Sequence, residues 1–138
     1  TKISSEIERL VVNFGADSLS NIKLDGAANM SLRQNGDPST YGQVTPGEQL
    51  RLKIAAVIAL IKHGYGEGIG RHPGFLLLDS PAAEEMPDGD LATMVAALLE
   101  VAKEAPMQII VATRSTGPLV ELLPEEYRLI AEGDDFVW

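Results

Sequence analysis

The sequence contains no cysteine. That excludes disulfides, zinc–thiolate sites and thiol nucleophiles. It has only two histidines, His63 and His72, too few for a multi-histidine metal centre. Long apolar runs are missing as well. The longest, residues 54–61, falls far short of the ~20 residues that a membrane span requires. Basic residues are scarce, with 11 Lys plus Arg against 20 Asp plus Glu and a net charge of −9. A broad DNA- or phospholipid-binding face on this chain alone is therefore disfavoured, because such faces are built from Lys and Arg. The opening residues Thr1-Lys2-Ile3-Ser4 carry neither a start methionine nor an apolar signal segment. The expectation is a cytoplasmic chain cut from something longer. No internal repeat or low-complexity tract is present.

What remains is an ordinary globular composition. The 138 residues are 45% hydrophobic and 22% charged, which suits one domain over 1–138 and is too apolar for disorder. A chain of this length buries roughly 65–70% of its unfolded surface. Ile3, Ile7, Leu10, Val11 and Phe14 recur at helical spacing. Residues 1–14 are thus read as a helix or the end of a longer one. Ser5 and Glu8 form a capping-box pattern, and Gly15 is the stop. Two short strands around Asp25-Gly26 predict an N-terminal β-hairpin, and residues 33–43 read as a loop by composition.

Thr45-Pro46-Gly47-Glu48 is the sharpest local signal. It reads as N-cap, proline at the first helical position and glutamate at the third. The helix is expected to run to Lys62 or His63 and stop at Gly64. Its apolar residues wrap most of the circumference, so burial on several sides is expected. A glycine-rich connector follows over 64–70. Phe75-Leu76-Leu77-Leu78 then reads as a buried central strand of a parallel sheet, ending in Asp79. Residues 90–105 form a second helix and 108–112 a second buried strand. A short helix lies around Leu119 to Leu123 and is broken by Pro124. Residues 127–130 and 136–138 read as edge strands.

A strand–helix–strand unit over 75–112 makes the two strands parallel. Asp79 and Ser80 then leave one strand tip, and Thr113 and Arg114 leave the other on the same sheet edge. Ligands of open α/β sheets sit at the carboxyl ends of strands. A carboxylate ending an apolar strand needs a partner or a metal, and hydrated Mg²⁺ suits a site offering one carboxylate plus phosphate oxygens. The alternative is that Asp79 only caps the Asp-Ser-Pro turn. The helix start at Thr45 offers unpaired N–H groups and positive dipole charge, and Gly47 allows close approach of a phosphate. An ordinary capped helix explains the same tetrapeptide.

Three segments in order carry a family resemblance: Val44-Thr45-Pro46-Gly47-Glu48-Gln49-Leu50-Arg51-Leu52, Phe75-Leu76-Leu77-Leu78-Asp79-Ser80-Pro81 and Gln108-Ile109-Ile110-Val111-Ala112-Thr113-Arg114. Over about residues 44–115 the chain resembles the C-terminal lobe of an ABC-type ATPase head of the SMC and RecN-like class. In that family a Leu-Ser-Gly-Gly-Glu/Gln signature opens a long helix. A strand ending Asp-Glu-Pro and a strand ending Thr-His follow. The resemblance implies an α/β, three-layer P-loop NTPase-like lobe, with central parallel strands flanked by helices plus the N-terminal hairpin. It implies that Thr45, Gly47 and Glu48 contact the γ-phosphate of ATP bound to a partner head in a head-to-head dimer. By the same resemblance Asp79 holds Mg²⁺ through water, Arg114 stands at the switch-histidine position, and the first helix is the end of a coiled-coil arm. DNA would be a partner of the complete protein, as in DNA repair, and not of this chain alone.

The chain departs from the family in four places. Pro46 replaces the first signature glycine, and Ser80 stands where the catalytic glutamate belongs. Glu84 or Glu85 is a candidate substitute base; a solvated acidic turn with Asp88 and Asp90 is the alternative. Arg114 keeps a phosphate donor but carries no titratable proton near neutral pH. None of the five lysines follows a glycine, so the Gly-Lys-Ser/Thr loop that reaches the β- and γ-phosphates is absent. The implied partner is an N-terminal ATPase lobe, in the same polypeptide or another. Two rivals remain: a non-catalytic interaction or dimerisation module with the same fold, and a metal-dependent nuclease-like site at Asp79, Glu84, Glu85 and Asp88, which the net charge disfavours. Ser80 lacks the flanking glycines of a hydrolase nucleophile.

Overall fold

In the computed structural model, which describes residues 1–69, 72–79, 86–113, 117–131 and 133, the first apolar stripe becomes helix α1 (Lys2–Asn13). Its N-cap is Thr1, whose Oγ1 accepts from Ser4 N at 3.2 Å. The helix thus begins upstream of the expected Ser5–Glu8 box. Glu8 points sideways instead, and its Oε1 accepts from Asn21 N at 2.8 Å. Ile7, Leu10, Val11 and Phe14 are fully buried. Gly15, at φ +84, ends the helix as expected.

The expected hairpin is a three-stranded antiparallel meander, β1 (Leu19–Leu24), β2 (Met30–Gln34) and β3 (Asp37–Thr40). Asp25 closes the first turn, its Oδ1 accepting from Ala27 N and Asn29 N. In β1 the register shifts between Ser20 and Lys23. Asn21 and Ile22 there oppose Leu32 alone, a bulge with Asn21 at φ +50. The bulge lets Leu19 and Ile22 both face the core. Reading 33–43 as a loop is corrected by β3. Asn35 and Gly36 sit at φ +51 and +89 between Gln34 and Asp37, the two-residue turn whose twist matches a hairpin. Pro38 is tolerated because β3 is an edge.

Helix α2 (Pro46–Gly66) runs through Gly64, past its expected stop. It lies antiparallel to α1: Lys62 Nζ is 2.6 Å from Glu6 Oε1, and, further toward the C-terminus of α2, Glu67 pairs with Lys2 at the start of α1. Burial on several sides is observed at Leu52, Ile54, Ala55, Ile58, Ala59 and Ile61. The core is formed where α1, α2, the meander and α3 (Asp88–Glu104) bring Phe14, Leu19, Leu52, Ile58, Leu91 and Met94 together.

Strands β4 (Phe75–Asp79) and β5 (Gln108–Ala112) are parallel and in register, Phe75 opposite Gln108 and Asp79 opposite Ala112. Gly74 admits β4 into this position. A Cβ there would lie 2.6 Å from Pro106 O and 2.9 Å from Tyr65 Oη. The strands are not buried on both faces, which corrects the expectation of fully buried strands. Leu76, Leu78, Ile109 and Val111 pack on the core, whereas Phe75, Leu77 and Ile110 are 40%, 56% and 41% exposed. Among the described residues this sheet has two strands only, and its second face presents these three half-exposed side chains.

Beyond β5 comes a short helix, α4 (Gly117–Leu122), and a 3₁₀ turn (Glu125–Tyr127). The expected strand over 127–130 is replaced by that turn and an unpaired segment, with Leu129 84% exposed. Its alternation of Tyr127, Leu129 and Arg128 suits a strand, but it meets no free sheet edge among the described residues. Residues 136–138, the other expected edge strand, lie outside the described residues. The architecture is α/β, with helices, a parallel pair and an N-terminal antiparallel sheet.

Candidate functional site

Thr45 is held extended at φ −64, ψ 156, and Pro46 sets the first helical φ. Thr45 Oγ1 accepts from Glu48 N at 3.3 Å, while Glu48 Oε2 accepts from Thr45 N at 2.9 Å. This is the capping box that the sequence announced. Glu48 does more than cap. Its carboxylate also accepts from Ser18 Oγ at 2.6 Å and from Gln34 Nε2 at 3.0 Å. Burial alone would raise its pKa, but the bonds from Ser18, Thr45 and Gln34 outweigh it and hold the carboxyl below its usual range. Glu48 and Gly47 are buried, and Thr45 and Pro46 are exposed. The helix start therefore opens to solvent through Thr45, with Glu48 beneath it as an anchor to the meander.

Asp79 ends β4 opposite Ala112, so Asp79 and Thr113 leave the same edge of the parallel pair. Asp79 is exposed there. Ser80, Glu84, Glu85 and Arg114 lie outside the described residues. Asp88 and Asp90 occupy the first turn of α3, complementing its dipole. Among the described residues, no group of three His, Cys, Asp or Glu side chains stands close enough to hold a metal. Among the described residues the donor offered at this sheet edge is one hard carboxylate, Asp79 at a strand end. That fits Mg²⁺ whose other ligands are water and phosphate oxygens, and it fits neither zinc nor a protein-caged calcium.

The sequence reading passed over Arg51. Its residue exposure is 6%, and its Nη2 lies 2.8 Å from Asp90 Oδ2. The approach is an ion pair whose alignment falls short of a hydrogen bond, and Nε has no acceptor among the described residues. A signal for it was present: a lone arginine three residues after Glu48, in a helix apolar on nearly all sides.

No protein-family model matches the chain, and no curated protein does. Solved structures do. The chain superposes on an SMC head bound to the C-winged helix domain of ScpA with TM-score 0.60 at 18% identity, over 82% of this chain and 34% of that one. An SMC head domain from Thermotoga maritima gives 0.58 at 20% identity, over 88% and 40%. A third, from work on ATP-driven dimerisation and DNA-stimulated activation of SMC ATPases, gives 0.59 at 18% identity, over 88% and 72%. The chain spans about a third to two fifths of the first two heads. The fold is that of part of an SMC-like ATPase head.

Proposed function

We propose that this chain is the C-terminal, signature-bearing half of an SMC-like ABC ATPase head, and that it takes up ATP only together with a lobe carrying a Gly-Lys-Ser/Thr loop. The observation that carries the reading is the sheet of β4 and β5, which has two strands among the described residues. Two parallel strands present Phe75, Leu77 and Ile110 on an open apolar face, a surface that a stable domain ordinarily covers. The strand ends at Asp79 and Thr113 share one edge of that sheet, the edge where α/β folds take ligands.

In this reading Thr45 faces the γ-phosphate of ATP held by a second head, and Gly47 and Glu48, buried beneath it, shape the turn. Asp79 holds Mg²⁺ through water. Glu84 or Glu85 orients the attacking water, and Arg114 donates to phosphate. The heads close face to face on ATP. DNA is met by the assembled protein and not by this acidic chain. The setting is cytoplasmic; no described helix is long and apolar enough to cross a membrane.

Nucleotide titration tests this. The isolated 138 residues are expected to bind Mg-ATP negligibly, and the assembly with the loop-bearing lobe to bind it and dimerise. Tight ATP binding by the isolated chain would sink the proposal. Ser80 and Arg114 favour a second reading, a non-catalytic dimerisation module. On that reading the assembly binds ATP without turnover, and measured hydrolysis decides against it. Turnover unchanged in both Glu84→Gln and Glu85→Gln removes those two residues from the mechanism.

A further inference from the structure

Resting on the site proposed above, we infer that Arg51 is a positioning residue. Its ion pair with Asp90 fixes the start of α2 against the start of α3, and so sets the distance between the Thr45 turn and the helix that follows Asp79 in the chain. The first ground is burial. A guanidinium at 6% exposure whose Nε lacks an acceptor among the described residues is expensive to keep. An ion pair with one partner buried and the other half-exposed contributes little net stability relative to well-packed apolar side chains, so stability does not explain its presence. Among the described residues, Asp90 Oδ2 at 2.8 Å is the charged group that faces it.

The second ground is location. Arg51 lies six residues after Thr45, roughly 9 Å along the helix at 1.5 Å per residue. Asp90 is in the first turn of α3, the helix that follows β4 and its terminal Asp79. The pair thus bridges the two chain segments that the proposed site needs in register. The third ground is Glu48, three residues before Arg51 on the same helix. It ties that helix start to Ser18 and Gln34 of the meander side. Two buried charges one turn apart pin the start from two directions, Glu48 toward the meander and Arg51 toward α3. A single tie would leave the turn free to pivot, and displacements near 1 Å at such a site cost up to about a hundredfold in rate.

The test uses the complete ATPase assembly that contains this chain, with Arg51→Met, Asp90→Asn and Asp90→Glu. Arg51→Met removes the charge and keeps most of the volume. It is expected to leave the melting temperature equal or higher, while ATP-driven dimerisation and kcat fall about tenfold and KM stays within about twofold. Asp90→Asn, at a half-exposed side chain, is expected to lower kcat similarly and serves if Arg51→Met does not fold. Asp90→Glu is expected to recover most of the loss. Wild-type dimerisation and turnover in both Arg51→Met and Asp90→Asn overturn the inference alone. A loss of turnover that only tracks a fall in melting temperature overturns it too. Absence of ATP-driven dimerisation in the unmodified assembly overturns the site reading and this inference together.

Discussion

The Ser18 hydroxyl donates to Glu48 Oε1 at 2.6 Å, joining residues thirty apart in the chain. Through it the segment leading into β1 holds the carboxylate that caps α2. The helix start is therefore set by tertiary structure as much as by its own tetrapeptide. It also gives the signature-like glutamate a task that needs no nucleotide: four donors from Ser18, Gln34 and Thr45 converge on one buried carboxylate.

Removing that carboxylate strands those donors. Glu48→Ala is expected to destabilise the chain by about 2–3 kcal/mol, the sum of a lost cap and unpaired buried donors. Glu48→Gln is expected to cost less, because one amide oxygen still accepts. Urea unfolding checks both, and a cost under 0.5 kcal/mol for Glu48→Ala, taken as about the surface-mutation range, contradicts the anchor.

Acid tests the α1–α2 seam. Arg9 bonds Glu6 and lowers its pKa; burial opposes this, and Lys62 adds to the lowering, so the carboxyl sits at about 2 against its ordinary 4.5. A depressed carboxylate stabilises the fold above its unfolded pKa, and that contribution drains as pH falls toward the folded value. Stability is therefore expected to drop between pH 4.5 and about 2. Discounted for partial solvent screening, the Glu6 share is about 1–2 kcal/mol. Glu6→Gln is expected to flatten that part of the pH profile, and an unchanged slope would refute the assignment.

Close packing at the mouth of β4 makes Gly74 irreplaceable. A methyl there meets Pro106 O at 2.6 Å and Tyr65 Oη at 2.9 Å, and the backbone sits at φ +70. The tyrosine tip, which donates to His72 O at 2.9 Å, is the far end of a side chain and gives way at the cost of that bond, whereas the Pro106 carbonyl is backbone. Gly74→Ala is expected to cost about 2–4 kcal/mol from strain and overpacking together. Gly36→Ala, at φ +89 with open space around it, is expected to cost only about 1 kcal/mol. Thermal unfolding of the two variants separates steric closeness from backbone conformation.

Local chemistry made part of this legible in the sequence. The Thr45-Pro46-Gly47-Glu48 cap, the parallel β4 and β5 and the stripe of α3 each follow from spacing or capping within a few residues, and each is present. The α1 start shifted because Thr1 caps as well as Ser5 does and lies earlier. Strand β3 was missed because polar composition outweighed Asn35-Gly36, a turn pair that itself announces a hairpin. The expected edge strand at 127–130 failed for a different reason: strand pattern is necessary for pairing, but the chain must also run alongside an edge, and here it enters a 3₁₀ turn over Glu125–Tyr127 instead. The burial of Arg51 was signalled by its apolar helix, but its partner was not legible, because that depends on what stands across from it, here Asp90 from another helix.

An apolar run tells which residues avoid water and not what covers them, and Leu77 puts that to the test. It is 56% exposed on the open face of β4, between Phe75 and Ile110. For the isolated chain, Leu77→Ser is expected to change stability by less than about 0.5 kcal/mol, because little contact is lost at an exposed site. It is also expected to reduce self-association, since the apolar patch shrinks. In the complete assembly the same substitution is expected to weaken the fold by about 2 kcal/mol, the cost of a polar group and a lost leucine in a covered sheet. Paired denaturation curves and light scattering read the contrast. Equal, small effects in both settings would mean that this face stays open, and the sheet of β4 and β5 would no longer point to a missing lobe.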